Sequence, residues 1–71
     1  MLKNDQLIGE RIVELRTRQK MPPDIVAESA RMSTEDYLKG ERGDSRFSAQ
    51  ELYLIARTLG VSMEEIFSAL G

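Results

Sequence analysis

The clearest local signals of this chain lie in residues 48–65, SAQELYLIARTLGVSMEE, which mark two helix starts and one helix end. Ser48 and Ser62 are each followed three residues later by a glutamate, the pattern of a capping box in which the two side chains satisfy backbone N–H groups reciprocally. Gly60 suits the left-handed position that ends a helix. The stretch therefore predicts one helix over about residues 49–59 and another over about residues 63–70. The buried face of the first helix would hold Leu52, Ile55, Ala56 and Leu59.

Helical periodicity continues near the N-terminus. Ile8, Ile12 and Leu15 recur at the spacing of one helix face. The pattern predicts a helix from about residue 5 to residue 20, which Asn4 or Asp5 could cap.

A double proline, Pro22-Pro23, separates this helix from the next, because proline lacks an N–H group and fits the first turn of a helix. The second helix should cover about residues 23–30 and bury Val26, Ala27 and Ala30. Ser33 can cap a third helix, which should run from Thr34 to residue 39 or 40 and end at Gly40 and Gly43. Five helices with short connections predict an all-α orthogonal bundle that forms a single domain over residues 1–71.

Size and composition exclude several classes of protein. A chain of 71 residues has room for one small domain. It contains neither cysteine nor histidine, so we expect no disulfide, no zinc or other metal site and no cofactor. No apolar run has the length of a membrane span and the N-terminus lacks a signal-peptide core, so we expect a cytoplasmic protein with no membrane partner.

The charge balance is mildly acidic. The formal net charge is −2, which argues against a binder that relies on charge alone to hold nucleic acid. Residues 1–20 carry five basic and three acidic side chains, whereas residues 21–40 carry two and four, and residues 41–71 carry three and five. The basic side chains are therefore concentrated at the front of the chain.

Four short signals occur along the chain in a characteristic order. They are Ile8-Gly9-Glu10-Arg11-Ile12 with Leu15-Arg16, then Val26-Ala27-Glu28, then Glu41-Arg42-Gly43, and then Leu52, Ile55-Ala56 and Leu59-Gly60-Val61-Ser62. Their order and spacing resemble the Cro/cI-repressor type of helix-turn-helix protein, over residues 8–67. The resemblance implies a five-helix, lambda-repressor-like DNA-binding domain. Its helix-turn-helix would cover about residues 22–40, and its third helix would enter the major groove.

The resemblance also implies which residues would contact double-stranded DNA. The base-facing positions correspond to Thr34, Glu35, Leu38 and Lys39. The phosphate-contacting positions correspond to Arg42, Gly43, Ser45 and Arg46 in the loop after the third helix. A structural ion pair of the family corresponds to Arg16 and Glu41, and Tyr37 corresponds to a buried apolar position.

Several positions depart from the pattern of that family. Pro22 and Pro23 stand where polar residues usually open the second helix, so two potential phosphate donors are missing. Glu35 and Asp36 can only accept hydrogen bonds, which suits the amino group of cytosine but not phosphate. Arg31 occupies a turn position where the family favours glycine, because the backbone there is left-handed.

Two functions are consistent with these residues. The first is a small sequence-specific transcriptional regulator, a repressor of the Cro/cI type, that binds DNA as a homodimer. The interface between its two copies would contain Leu54, Phe67 and Leu70. The alternative is a protein-interaction module that kept the fold and lost or weakened DNA binding, for which Ile25 and Leu38 are candidate contacts with a protein partner. An enzyme is not expected, because no nucleophile–base set or glycine-rich phosphate loop accompanies the carboxylates.

Overall fold

The computed structural model describes residues 3–71, and within this range five α-helices form and no strand does. The helices are α1 (Lys3–Arg18), α2 (Pro23–Ser29), α3 (Thr34–Arg42), α4 (Ala49–Leu59) and α5 (Met63–Phe67), followed by one 3₁₀ turn, Ser68–Leu70. The fold class predicted from the sequence is therefore confirmed.

The helix ends predicted from capping residues agree with the structure. The Ser48 and Ser62 hydroxyls accept from the N–H groups of Glu51 and Glu65, each at 3.1 Å, and both glutamates return the hydrogen bond. Ser33 accepts from the Asp36 N–H at the start of α3, also at 3.1 Å. These contacts satisfy N–H groups that the first turn of a helix leaves without partners.

Helices α1 and α3 differ from their predicted bounds. Helix α1 includes Asn4 and Asp5, so neither residue caps it, and it ends at Arg18 rather than at residue 20. Helix α3 continues through Gly40 to Arg42 and ends only at Gly43, whose φ of 79° is the left-handed conformation that glycine adopts without strain. Glu41 and Arg42 therefore belong to the last turn of α3 and not to the loop after it.

Among residues 3–71, twelve apolar side chains form a core that joins the helices. Its members are Ile12, Leu15, Val26, Ala27, Ala30, Tyr37, Phe47, Leu52, Ile55, Ala56, Leu59 and Ile66. Helix α1 packs against α3 and against the C-terminal helices, α2 packs against α3 and α4, and α4 packs against α5. The core thereby fixes α2 and α3 as a pair against α1 and α4.

Two glycines allow close packing around α3. A side chain at Gly9 of α1 would overlap the backbone carbonyl of Glu41, so α1 and α3 cross where no Cβ separates them. A side chain at Gly40 would overlap the ring of Phe47, which occupies that space and lies 5.8 Å from the Tyr37 ring, centroid to centroid. Phe47 therefore fills the space that Gly40 leaves.

Candidate nucleic-acid interface

The exposed side of α3 carries most of the residues predicted to face DNA bases. Thr34, Glu35 and Lys39 are exposed. Leu38 is only partly exposed, because its side chain packs against the core. Lys39 Nζ lies 3.8 Å from Glu35 Oε1, one helical turn away. The free surface of α3 is therefore polar, with both signs of charge close together.

The turn between α2 and α3 has the geometry of a helix-turn-helix. Arg31 adopts a φ of 61°, the left-handed conformation expected at this position from the sequence. The N–H group of Met32 donates to the Ala27 carbonyl at 2.9 Å and closes the end of α2. A residue other than glycine is less favourable than glycine in this conformation by about 1–2 kcal/mol. The packing of α2 against α3 holds Arg31 there despite that strain.

The start of α2 offers little to an anion. Pro22 is the N-cap residue, with φ −73° and ψ 150°, and no side chain accepts a hydrogen bond from the first turn. Pro23 follows as the first helical residue and has no N–H group. Asp24, in the same turn, adds a negative charge. A phosphate contact at this helix terminus would therefore be weak.

The end of α3 differs from the arrangement that we expected for phosphate binding. The N–H group of Gly43 donates to the Gly40 carbonyl at 3.1 Å, and that of Asp44 donates to the Lys39 carbonyl at 2.9 Å. Gly43 is buried, and a side chain there would approach Gln6 of α1 to 2.6 Å. Gly43 therefore serves to end α3 against α1, and we assign it no phosphate contact.

Arg42, the last residue of α3, and Arg46, in the loop that follows, are both exposed and paired. Arg42 Nε donates to Asp44 Oδ2 at 3.1 Å, and Arg46 Nε donates to Asp5 Oδ1 at 3.1 Å. The Arg42 and Arg46 side chains remain 58% and 65% exposed, so their other N–H groups can meet a ligand from solvent. Ser45, between them, is also exposed.

A nearly buried ion pair connects α3 to α1. Arg16 Nε donates to Glu41 Oε2 at 2.6 Å and Arg16 Nη2 donates to Glu41 Oε1 at 3.1 Å, while Nη1 donates to the Met21 carbonyl at 3.1 Å. The side chains of Arg16 and Glu41 are only 12% and 6% exposed. The hydrogen bonds to Glu41 raise the pKa of the Arg16 guanidinium above its ordinary value. The pair thus fixes the last turn of α3 to the end of α1.

Tyr37 lies beside this pair at the buried apolar position expected from the sequence. Its ring is fully buried, and its hydroxyl makes no hydrogen bond of good geometry within residues 3–71. Burial raises the pKa of the Tyr37 hydroxyl far above its ordinary value, and the neighbouring Glu41 carboxylate raises it further. The hydroxyl is therefore neutral at any physiological pH, and Tyr37 acts as a packing residue.

Two features of this region were not predicted from the sequence. The first is Phe47, whose position just before the Ser48 cap is typical of a hydrophobic staple with Leu52, four residues into the helix, and both side chains lie in the core. The second is the carboxylate of Asp5, which lies 41 residues from its partner Arg46. No local pattern indicates a contact of that kind.

The predicted dimer residues differ in exposure. Phe67 and Leu70 are 39% and 42% exposed at the C-terminal end of the chain. Leu54 is partly buried against the core, whereas its neighbour Tyr53 is 54% exposed. Ile25 of α2, a candidate contact with a protein partner, is 46% exposed. The C-terminal pair is thus the more accessible part of the predicted interface.

Residues 3–71 contain neither a candidate metal site nor a candidate membrane span. No group of three or more carboxylate, histidine or cysteine side chains could hold a metal ion there. Over the same range, every helix is too short or too polar to cross a bilayer.

Comparison with known proteins gives one relative by sequence. No family model matches the chain. A protein of Rhodospirillum rubrum, described as an uncharacterized transcriptional regulator in the ATPase CF(0) region, is 35% identical over 66 residues. The match covers 93% of this chain and 61% of that protein, so the chain spans about three fifths of the length of its relative.

Two solved structures share the fold. The clp gene regulator ClgR from C. glutamicum superposes with a TM-score of 0.88 at 20% identity, over 97% of this chain and 90% of that chain. The restriction-modification controller protein C.AhdI from Aeromonas hydrophila gives a TM-score of 0.87 at 23% identity, over 93% of this chain and 100% of that chain. All three proteins are named as regulators or controllers, and none is named as an enzyme.

Proposed function

We propose that this chain is a DNA-binding transcriptional regulator of the Cro/cI type, which acts as a homodimer and places α3 in the major groove. The observation that carries the proposal is the arrangement of α2, the left-handed turn at Arg31 and α3, with exposed polar residues on α3 and exposed arginines at its end and in the loop after it. The names of the sequence relative and of the two structural neighbours support it. A function of this kind would be carried out in the cytoplasm.

Within this proposal, the residues divide into two groups. Thr34, Glu35 and Lys39 face the bases, and Leu38 contributes only the part of its side chain that the core leaves free. Arg42, Ser45 and Arg46 contact phosphates on the flanking backbone. Phosphate contacts supply affinity and position, whereas the few polar groups on α3 supply sequence preference.

Salt-dependent binding of random duplex DNA, followed by fluorescence anisotropy, tests the phosphate contacts. Arg42→Ala and Arg46→Ala should each weaken binding and reduce the slope of log affinity against log salt by at most about 0.9, the value for one full phosphate contact. Arg57→Ala is the matched control, because Arg57 is an exposed arginine on α4, outside the loop. Its salt slope should equal that of the native chain.

A second function remains a candidate because of the acidic character of α3. Glu35 and Asp36 are exposed in its first turn, and Ile25 of α2 is an exposed apolar side chain. Such a surface could bind a protein partner instead of DNA. The anisotropy experiment separates the two functions: if the native chain fails to bind DNA even at low salt, the protein-interaction module replaces the regulator.

The homodimer we propose uses Phe67 and Leu70, with Leu54 or Tyr53 at its edge. Two copies would read half-sites about one helical turn of DNA apart. The double variant Phe67→Ala, Leu70→Ala should shift the chain toward monomer in sedimentation velocity, since both side chains are exposed in the single copy. A native chain that sediments as a monomer at high concentration would end the dimer proposal.

A further inference from the structure

Each cation of the proposed DNA surface has a carboxylate of the same chain beside it. Arg42 pairs with Asp44 and Arg46 pairs with Asp5, both at 3.1 Å. On α3, Lys39 lies 3.8 Å from Glu35. These three cations are the ones that the proposed function assigns to DNA, so the surface that should attract phosphate is neutralised from within.

The three carboxylates differ in how firmly they are held. The Asp5 side chain is only 13% exposed in the first turn of α1, where the positive end of the helix dipole favours a carboxylate. The Asp44 side chain is 43% exposed and lies two residues from its partner, and the Glu35 side chain is 82% exposed. Exposed pairs of this kind add little to stability and are screened by salt. A phosphate can therefore displace the Asp44 or Glu35 carboxylate from its cation, or share the cation with it, at small cost in folding free energy.

Such pairing has a direct consequence for binding. DNA binding gains free energy when Lys and Arg replace the cations condensed on the duplex. If the ion pair stays formed when the protein meets DNA, the pair has no net charge with which to attract a phosphate. The duplex also repels the carboxylate of the pair. The gain at each paired position is therefore reduced.

We propose that Asp5, Glu35 and Asp44 compete with DNA phosphates for Arg46, Lys39 and Arg42, and that this competition holds the affinity of the surface below what its cations alone would give. The inference rests on the proposed function, and it adds a role for Asp5 and Asp44, which have none in that proposal, and a second role for the base-facing Glu35. Asp5 and Asp44 act as positioning residues, because each affects DNA only through the cation that it holds. Removing a carboxylate should strengthen binding rather than weaken it.

The test uses isosteric amides in the full chain. Asp44→Asn should raise the affinity for random duplex DNA by roughly threefold and steepen the salt slope by up to about 0.9, because one phosphate contact is restored in full. Asp5→Asn should act similarly through Arg46. Glu64→Gln is the matched control, because Glu64 is exposed on α5, away from this surface, and its substitution changes the net charge equally. Far-UV circular dichroism establishes that each variant is folded.

A double-mutant cycle separates competition from a general charge effect. In an Arg42→Ala background, Asp44→Asn should give a much smaller gain than in the native chain, since only the repulsion between Asp44 and the duplex remains to be relieved. A gain of undiminished size in this background, or one that Glu64→Gln reproduces, would overturn the proposal.

Failure of the inference and failure of the proposed function give different results. If Arg42→Ala weakens binding while Asp44→Asn and Asp5→Asn have no effect, the regulator stands and the competition does not. If the native chain does not bind DNA even at low salt, the proposed function fails, and the inference that rests on it fails with it.

Discussion

Replacement of Arg16 by methionine should destabilise this protein more than any exposed substitution. Methionine has a long unbranched side chain like that of arginine, but it cannot donate a hydrogen bond. The Glu41 side chain, which is only 6% exposed, therefore loses the Arg16 donor to each of its carboxylate oxygens. Breaking a buried pair from one side typically costs about 3–5 kcal/mol, because the remaining charge is neither solvated nor paired. The Met21 carbonyl loses its donor in the same variant.

That loss is large for a chain of this size. At about 0.05–0.15 kcal/mol per residue, 71 residues correspond to a free energy of unfolding of roughly 4–11 kcal/mol. With an m-value of about 1 kcal/mol per molar urea, Arg16→Met should lower the unfolding midpoint by about 3 M or more. Urea titration followed by far-UV circular dichroism measures both the midpoint and the m-value.

The same helix supplies a matched control. Arg18 is 65% exposed and lies 3.4 Å from Glu14, so Arg18→Met removes an arginine from an exposed pair. Its effect should be under about 1 kcal/mol. The double variant Arg16→Met, Glu41→Met should recover much of the lost stability, since no unpaired charge remains. If Arg16→Met costs no more than Arg18→Met, the Arg16–Glu41 pair does not hold α3 against α1 and the reasoning is refuted.

Two further substitutions test the packing around α3. Gly9→Ala should lower the free energy of unfolding by about 1–3 kcal/mol, because the new Cβ overlaps the Glu41 carbonyl, and this outweighs the higher helix propensity of alanine. Urea titration measures the change, and an unchanged or higher unfolding midpoint would contradict that close approach. Tyr37→Phe should make stability less sensitive to alkali. Because burial raises the pKa of Tyr37 in the folded state, the unfolded chain loses this proton first, and stability falls as the pH rises through about 10. The decline measured by urea titration between pH 9 and 11 should be shallower in the variant, and equal slopes would show that Tyr37 does not contribute.

The helices were predictable wherever their signals lie within one turn of the chain. The boxes at Ser48 and Ser62, the Gly60 cap and the apolar spacing of α4 each depend on residues at most a few positions apart, and the ends of α4 agree with the prediction. The end of α3 was predicted too early because glycine disfavours helix locally. In the fold, Gly40 stays helical because the Phe47 ring occupies the space beside it.

The candidate site was predictable in part. The sequence indicates which side chains α3 and its loop carry, but not which of them stay free. Leu38 packs against the core, the Gly43 N–H is used to end α3, and Arg42 and Arg46 both have carboxylate partners. Each outcome depends on what a neighbouring element brings to the same place.

The amino-acid sequence alone determined where the helices of this protein begin and end, to within a few residues, and which face of each one is apolar. Capping, proline geometry and helical periodicity are local effects, so they can be evaluated without knowing the fold. Only the tertiary structure determined that Gly9 lets α1 meet Glu41 and that Asp5 reaches Arg46. Those contacts join residues more than thirty positions apart, and packing of the whole core selects them from many pairings that the sequence leaves open.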